Sequence, residues 1–177
     1  MTAIPTLRER QAPLKERYTS DPESAKLTIS VRSVTSGDDP TKVRIASDAG
    51  GGVVWEVGAH PYAGGEGDLA CSGDVLLASL AACQEITLRM VASAMNITLT
   101  EVDVQVHGDL DFRGTMGTDK EVHVGFERIR TEIRIAADAP PDRLERLAKR
   151  AEQYCVVAST LRQSPELSTT ISVSDGE

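Results

Sequence analysis

The sequence is short of the groups that most often announce a chemistry. Its 177 residues hold three cysteines, three histidines, two phenylalanines and one tryptophan. An odd cysteine count with no Cys-x-x-Cys spacing excludes a disulfide framework. So few thiols and imidazoles, without ligand spacing, leave no metal site to expect, and no cofactor motif is present. Positive charge is scarce too: 19 Lys and Arg stand against 27 Asp and Glu, for a net charge of −8. Nucleic-acid binding needs basic clusters or aromatic platforms, and this chain has neither. No uninterrupted run of ~18 apolar residues occurs, so no transmembrane helix is expected. The opening stretch MTAIPTLRERQAPLKERY mixes charges with prolines and lacks the apolar core of a signal peptide. These absences describe a cytoplasmic protein with no membrane and no nucleic-acid partner.

What is present is an ordinary globular composition, 40% apolar and 26% charged. The length suits one main domain that can bury roughly 70% of its unfolded surface without staples. We read residues 1–25 as an N-terminal helical arm, with a weak stripe of Leu7, Leu14 and Tyr18, and residues 26–177 as the domain. Leu27, Ile29 and Val31 alternate with polar residues and predict a strand. Val43 and Ile45 begin a second, after the turn at 36–41. The tight turn at 48–52 leads into a third strand over 53–57. Residues 58–73 form a glycine-rich loop, of the kind that more often serves function than framework. From Asp74 to Met95 apolar and small residues surround the whole first half of a helix, which places it in the core. Ser72 or Asp74 stands where its cap is needed, and Asn96 fits its stop.

Two long strands follow. Val102, Val104, Val106, Leu110 and Phe112 share one face of the first. In the second, Val122, Val124 and Phe126 give way to Ile129, Ile133 and Ile135, and the change of phase predicts a bulge near Glu127 and Arg128. Asp138 with Pro140 and Pro141 starts a second helix. Its stripe of Leu144, Leu147, Ala148 and Ala151 runs into YCVVASTL, and residues 169–173 predict a final strand. The order β-β-β-α-β-β-α-β is an α+β fold with antiparallel sheets around a long buried helix.

Two cysteines lie in helical contexts. Cys83 sits inside the central helix and Cys155 at, or just past, the end of the second. Free cysteine commonly packs as a small hydrophobe, and Leu80, Ala81 and Ala82 around Cys83 suit that role. The chemical alternative is a dithiol pair that reduces peroxide. One thiolate attacks oxygen and becomes a sulfenic acid, and a second thiol condenses with it. A cysteine this deep in a helix gains little from the dipole, so the fold must bring an activating group.

The stretch CSGDVLLASLAACQEITLRMVASAM, a β-branched strand after it, and QYCVVASTL farther on resemble the OsmC/Ohr family. The resemblance runs from about residue 26 to 174. It implies an OsmC-like fold and an intertwined homodimer with active sites at the subunit interface. It also implies reduction of organic hydroperoxides by Cys83 as peroxidatic and Cys155 as resolving thiol. An external dithiol, lipoamide or a thioredoxin-like partner, would recycle the disulfide. Better-known members carry a glutamate in a P-E-x-L pattern at the helix start, paired with an arginine from the N-terminal strands. Here that turn reads Ser72-Gly73-Asp74-Val75, without proline. Asp74 is the nearest carboxylate, or simply a favourable charge at a helix start. Arg32 and Arg44 are the candidate arginines, with Arg44 preferred, or plain edge residues. His60 stands ahead of the glycine-rich loop as a candidate base. Cys71 closes that loop, as a third thiol or a cover for the helix start. A Cys-dependent hydrolase or acyl transferase using Cys83 and His60 remains an alternative. So does a non-catalytic dimer in which the cysteines only pack.

Overall fold

The computed structural model describes residues 6–47, 52 and 54–173. The tight turn expected at 48–52 lies largely outside them, as does the first residue of the third predicted strand. The elements run α1 (Leu7–Ser20), β1 (Val31–Thr35), β2 (Lys42–Ser47), β3 (Val54–Gly58), α2 (Ser72–Ala94), β4 (Leu99–Asp109), a short α3 (Phe112–Thr115), β5 (Arg128–Ala137), α4 (Pro141–Tyr154) and α5 (Val156–Arg162). The fold is α+β with two antiparallel sheets, β1-β2-β3 and β4-β5, and a central helix.

α1 starts with a capping box: Thr6 accepts from the Glu9 N–H while Glu9 returns to the Thr6 N–H. Of the expected stripe only Leu7 lies at α2, joined there by Arg8. Leu7 meets the Met90 and Ala94 end of α2, and Arg8 donates to the Ala94 carbonyl at 3.4 Å. Leu14 and Tyr18 remain exposed.

α2 is the backbone of the molecule. It packs on β4, α4 and α5. By length and composition it is also apolar enough to cross a membrane, because small and apolar residues dominate a helix broken by only a few charges. Within one chain it is covered on one face only: Leu80, Thr87, Leu88 and Ala92 are buried, whereas Leu76, Ile86 and Met90 are exposed, short of the helix buried on most sides that its composition predicts. Leu88, Ala92, Ile97, Leu147 and Ala151 form one buried cluster between α2 and α4. Leu80, Cys155 and Ala158 form a second between α2 and α5, flanked by Cys83, Val106, Val157 and Ile129. The helix runs to Ala94, and Asn96, two residues on, has a φ of 52°, the left-handed geometry asparagine tolerates.

Three expected elements differ. The bulge predicted near Glu127 and Arg128 is not in the ladder. β5 begins at Arg128, and the register shift lies between Leu99 and Glu101. Residues before Arg128 are loop, so the change of phase marks a loop-to-strand boundary. Phe126 turns onto α2 instead: a Cβ on Gly108 would meet its ring at 2.5 Å, so the glycine admits it. Residues 169–173 make no sheet pairing among the described residues. Their alternation is real, but a strand needs a neighbouring ladder, and Ile171 and Val173 face solvent, 84% and 88% exposed. Leu27 and Ile29 lie ahead of β1, also exposed and unpaired. The chain exposes 13546 Å², against the roughly 8,400 Å² that a compact protein of this mass shows.

Candidate functional site

Cys83 and Cys155 come together between α2 and α5. Cys155 sits where α4 stops, with extended backbone (φ −75°, ψ 110°), and serves as the N-cap of α5. Its sulfur accepts from the Ala158 N–H at 3.5 Å and is fully buried. This break frees the first N–H groups of α5, in the cluster where Cys83 and Val157 pack. Burial raises the Cys83 pKa. The N–H groups of Val157 and Val156, the Cys155 thiol and the Thr87 hydroxyl outweigh it and hold the thiol below the ordinary range. Burial pushes Cys155 the other way, partly offset by the Ala158 N–H, and its contact with Cys83 raises it further. The two neighbouring thiols are thus shifted in opposite directions, Cys83 down and Cys155 up.

A cavity of about 460 Å³ is lined by Leu80 and Ala158, which pack with the pair, though by neither cysteine itself. Leu76, Phe126, Ile129 and Leu161 give it apolar walls, and Arg128 and Arg162 stand at its edge. Gln84, next to Cys83 in sequence, lines it with a buried Oε1 that has no hydrogen-bond partner.

The other candidate residues are placed elsewhere within this chain. Arg44 lies on β2, half-exposed, with its Nη2 4.0 Å from Glu56 Oε1. Arg32 lies on the exposed edge strand β1. Neither is among the groups that act on the Cys83 thiol. Asp74 is the third residue of a capping box whose N-cap is Cys71, not Ser72 or Asp74 itself. Asp74 accepts from the Cys71 N–H at 2.8 Å, and the Cys71 sulfur accepts from the Asp74 N–H at 3.4 Å. Those bonds, with a smaller contribution from His60, hold the carboxyl below its ordinary range. His60 sits with Cys71 and Asp74 around a second cavity of about 350 Å³, away from Cys83. Its Nδ1 accepts from the Tyr62 N–H at 3.1 Å, and its ring stacks on Phe112 at 4.8 Å between centroids. Lys42 fastens the loop before α2 by ion pairs of 2.7 Å to both Glu66 and Asp68. Gly65 lets that loop close, since a Cβ there would fall 1.8 Å from the Ala59 carbonyl oxygen. Among the described residues no three potential ligands cluster to hold a metal ion.

Reading the residues alone did not find Thr87 or the N–H groups of Val156 and Val157. The spacing of Thr87, four residues after Cys83 on one helix face, was the available signal.

A mixed fold that seats one cysteine in its central helix and a second at the cap of a later helix defines a class of two-thiol α+β proteins. Residues 65–170 match the family model of the OsmC-like proteins, and the chain belongs to that family. Solved structures agree in fold. An OsmC-like protein from Mycoplasma pneumoniae superposes with a TM-score of 0.63 at 20% identity, over 78% of this chain and 90% of that one. An organic hydroperoxide resistance protein from Elizabethkingia anophelis gives 0.55 at 19%, over 78% and 91%. Another described by that activity, from Legionella pneumophila, gives 0.57 at 18%, over 77% and 90%. At these identities the likeness is one of fold. No curated protein matches the sequence.

Proposed function

We propose that the chain is a thiol-dependent peroxidase for organic hydroperoxides, with Cys83 peroxidatic and Cys155 resolving. The contact of these two thiols inside one apolar cluster carries the reading. The Cys83 thiolate attacks the distal oxygen of ROOH, the O–O bond breaks, and RO⁻ leaves to take a proton as ROH. The resulting Cys83 sulfenic acid condenses with the Cys155 thiol, releasing water and forming the disulfide. A dithiol of the lipoamide or thioredoxin-like class then reduces that disulfide and is itself oxidised. The apolar cluster around the pair, with Leu80, Val106, Ile129 and Ala158, favours organic hydroperoxides over hydrogen peroxide. Membership of a family with structurally similar hydroperoxide-resistance proteins supports this role. A cytoplasmic location, where dithiol reductants operate, belongs to the same reading.

The assembly that goes with it is a homodimer. The excess exposed area and the unpaired apolar residues Leu27, Ile29, Ile171 and Val173 support a second copy as the cover. Asp74, Arg44 and His60 have a role at Cys83 only in such an assembly, since one chain keeps them apart from it.

The test is peroxide consumption with thiol counting. Cumene hydroperoxide should remove two thiols per chain in the wild type. Cys83→Ser should abolish turnover. Cys155→Ser should stop at one oxidation event without a disulfide. Wild-type protein that consumes no hydroperoxide with either class of dithiol present refutes the proposal, as does Cys83→Ser with undiminished activity.

A further inference from the structure

We infer that the recycling dithiol attacks the Cys83 sulfur of the oxidised pair and expels Cys155, so that the mixed disulfide with the reductant forms on the central helix. The inference rests on the proposed Cys83–Cys155 disulfide and adds the order in which that bond is broken. A thiolate that reduces a disulfide bonds to one of its two sulfurs, and access helps decide which one is taken. The two sulfurs differ in access. Cys155 is 0% exposed, and Leu80 and Ala158, which share its cluster, are 4% and 5% exposed. Cys83 packs against that cluster and is only partly buried. A second copy of the chain can only add cover to Cys155. Cys83 must stay open in any assembly that reduces peroxide, because the hydroperoxide oxygen has to reach that sulfur.

The place of Cys155 in the backbone favours the same order. It is the N-cap of α5, and its sulfur accepts the Ala158 N–H at 3.5 Å. Expelled from Cys83, it returns as a thiolate to a donor already in place, and a hydrogen bond to the charged form favours it. Leaving-group acidity argues the other way. Burial holds the Cys155 thiol above its ordinary range, and a less acidic thiol leaves more slowly. That preference only scales a rate, whereas a sulfur with no exposed surface offers no approach unless α5 opens. Access therefore decides. The reductant thiolate bonds to Cys83 Sγ, the Cys83–Cys155 bond breaks with its electron pair on Cys155, and Cys155 takes a proton. The second thiol of the reductant then attacks the reductant's own sulfur in the mixed disulfide, freeing Cys83 as a thiolate and leaving the dithiol oxidised.

The test does not use peroxide. Full-length Cys71→Ser protein, which keeps a capping side chain at the start of α2, is oxidised with diamide. Excess glutathione is added, samples are quenched in acid at early times, and free thiols are alkylated. Mass spectrometry then reads which cysteine carries glutathione. The expected product has glutathione on Cys83 and the alkyl group on Cys155, by at least ~10 to one. Where Cys71→Ser does not fold, wild-type protein carries the same expectation, with Cys71 read separately from Cys83 in the fragment spectra. Glutathione on Cys155, or divided evenly between the two, overturns the inference and leaves the peroxidase reading standing. Failure of diamide to join Cys83 to Cys155 overturns it together with the resolving role of Cys155. Glutathione on Cys83 in a protein that consumes no hydroperoxide upholds the order of attack and refutes the peroxidase reading alone.

Discussion

Cys83 and Cys155 meet at a single helix start: the Cys155 sulfur accepts the Ala158 N–H of α5 at 3.5 Å, and Cys83 packs against the same cluster beside Val157. The two thiols face opposite balances. Burial wins at Cys155, and hydrogen bonding wins at Cys83.

A pH dependence with a definite sign results. The thiolate is the nucleophile, so labelling falls tenfold per pH unit below a thiol's midpoint and levels off above it. Cys83 should level off at a lower pH than an ordinary thiol, and Cys155 should begin to react only at a higher one. Peptide-resolved alkylation of native protein checks both. Equal midpoints would contradict the asymmetry.

Asp74 stabilises the start of α2 through its capping box with Cys71. Asp74→Ala should cost about 1 kcal/mol at neutral pH, the usual worth of a helix cap. The folded pKa of Asp74 lies below its unfolded value, so its contribution is present above the unfolded pKa and is lost as pH falls through the folded one. Denaturant titrations of wild type and variant should converge in strong acid. A gap that stays constant with pH would assign the loss to something other than the carboxylate.

Gly108 makes room for Phe126. Its φ is not in the left-handed region, so alanine is forbidden by the neighbour rather than by the backbone. Gly108→Ala should destabilise by about 1–3 kcal/mol through forced repacking. Adding Phe126→Leu should relieve part of that, giving a coupling of ~0.5 kcal/mol or more in a double-mutant cycle. Strict additivity would show that the two do not compete for one space.

Leu147 is fully buried against α2 in the cluster with Leu88 and Ala92. Leu147→Ala should cost about 3 kcal/mol, the transfer of its side chain plus the void left behind. Hydroperoxide turnover per folded molecule should change little, because this cluster lies apart from the Cys83–Cys155 cluster. A large loss of turnover with unchanged stability would place Leu147 in the functional machinery.

Much of this was legible in the residues. Alternation gave β2, β3 and β4, the apolar girth of DVLLASLAAC gave α2, and Pro140-Pro141 gave the start of α4. Sequence spacing paired Cys83 with Cys155 only through family resemblance, and the fold brought them together. What escaped has physical reasons. The strand read over 122–126 fails because Phe126 finds a better burial against Gly73 and Gly108 than a ladder offers. The strand at 169–173 has the right alternation, but pairing partners are not encoded in alternation. The activating groups at Cys83 are largely backbone N–H groups, and a backbone donor carries no letter in a sequence. Arg44 was sought because a thiolate invites a cation, and a single chain keeps it on β2 beside Glu56, away from Cys83.

The cap bond of Cys155 gives the molecule a way to register its own oxidation. A disulfide to Cys83 would use the same sulfur that accepts the Ala158 N–H, so the acceptor at the start of α5 and the resolving atom of the proposed chemistry are one.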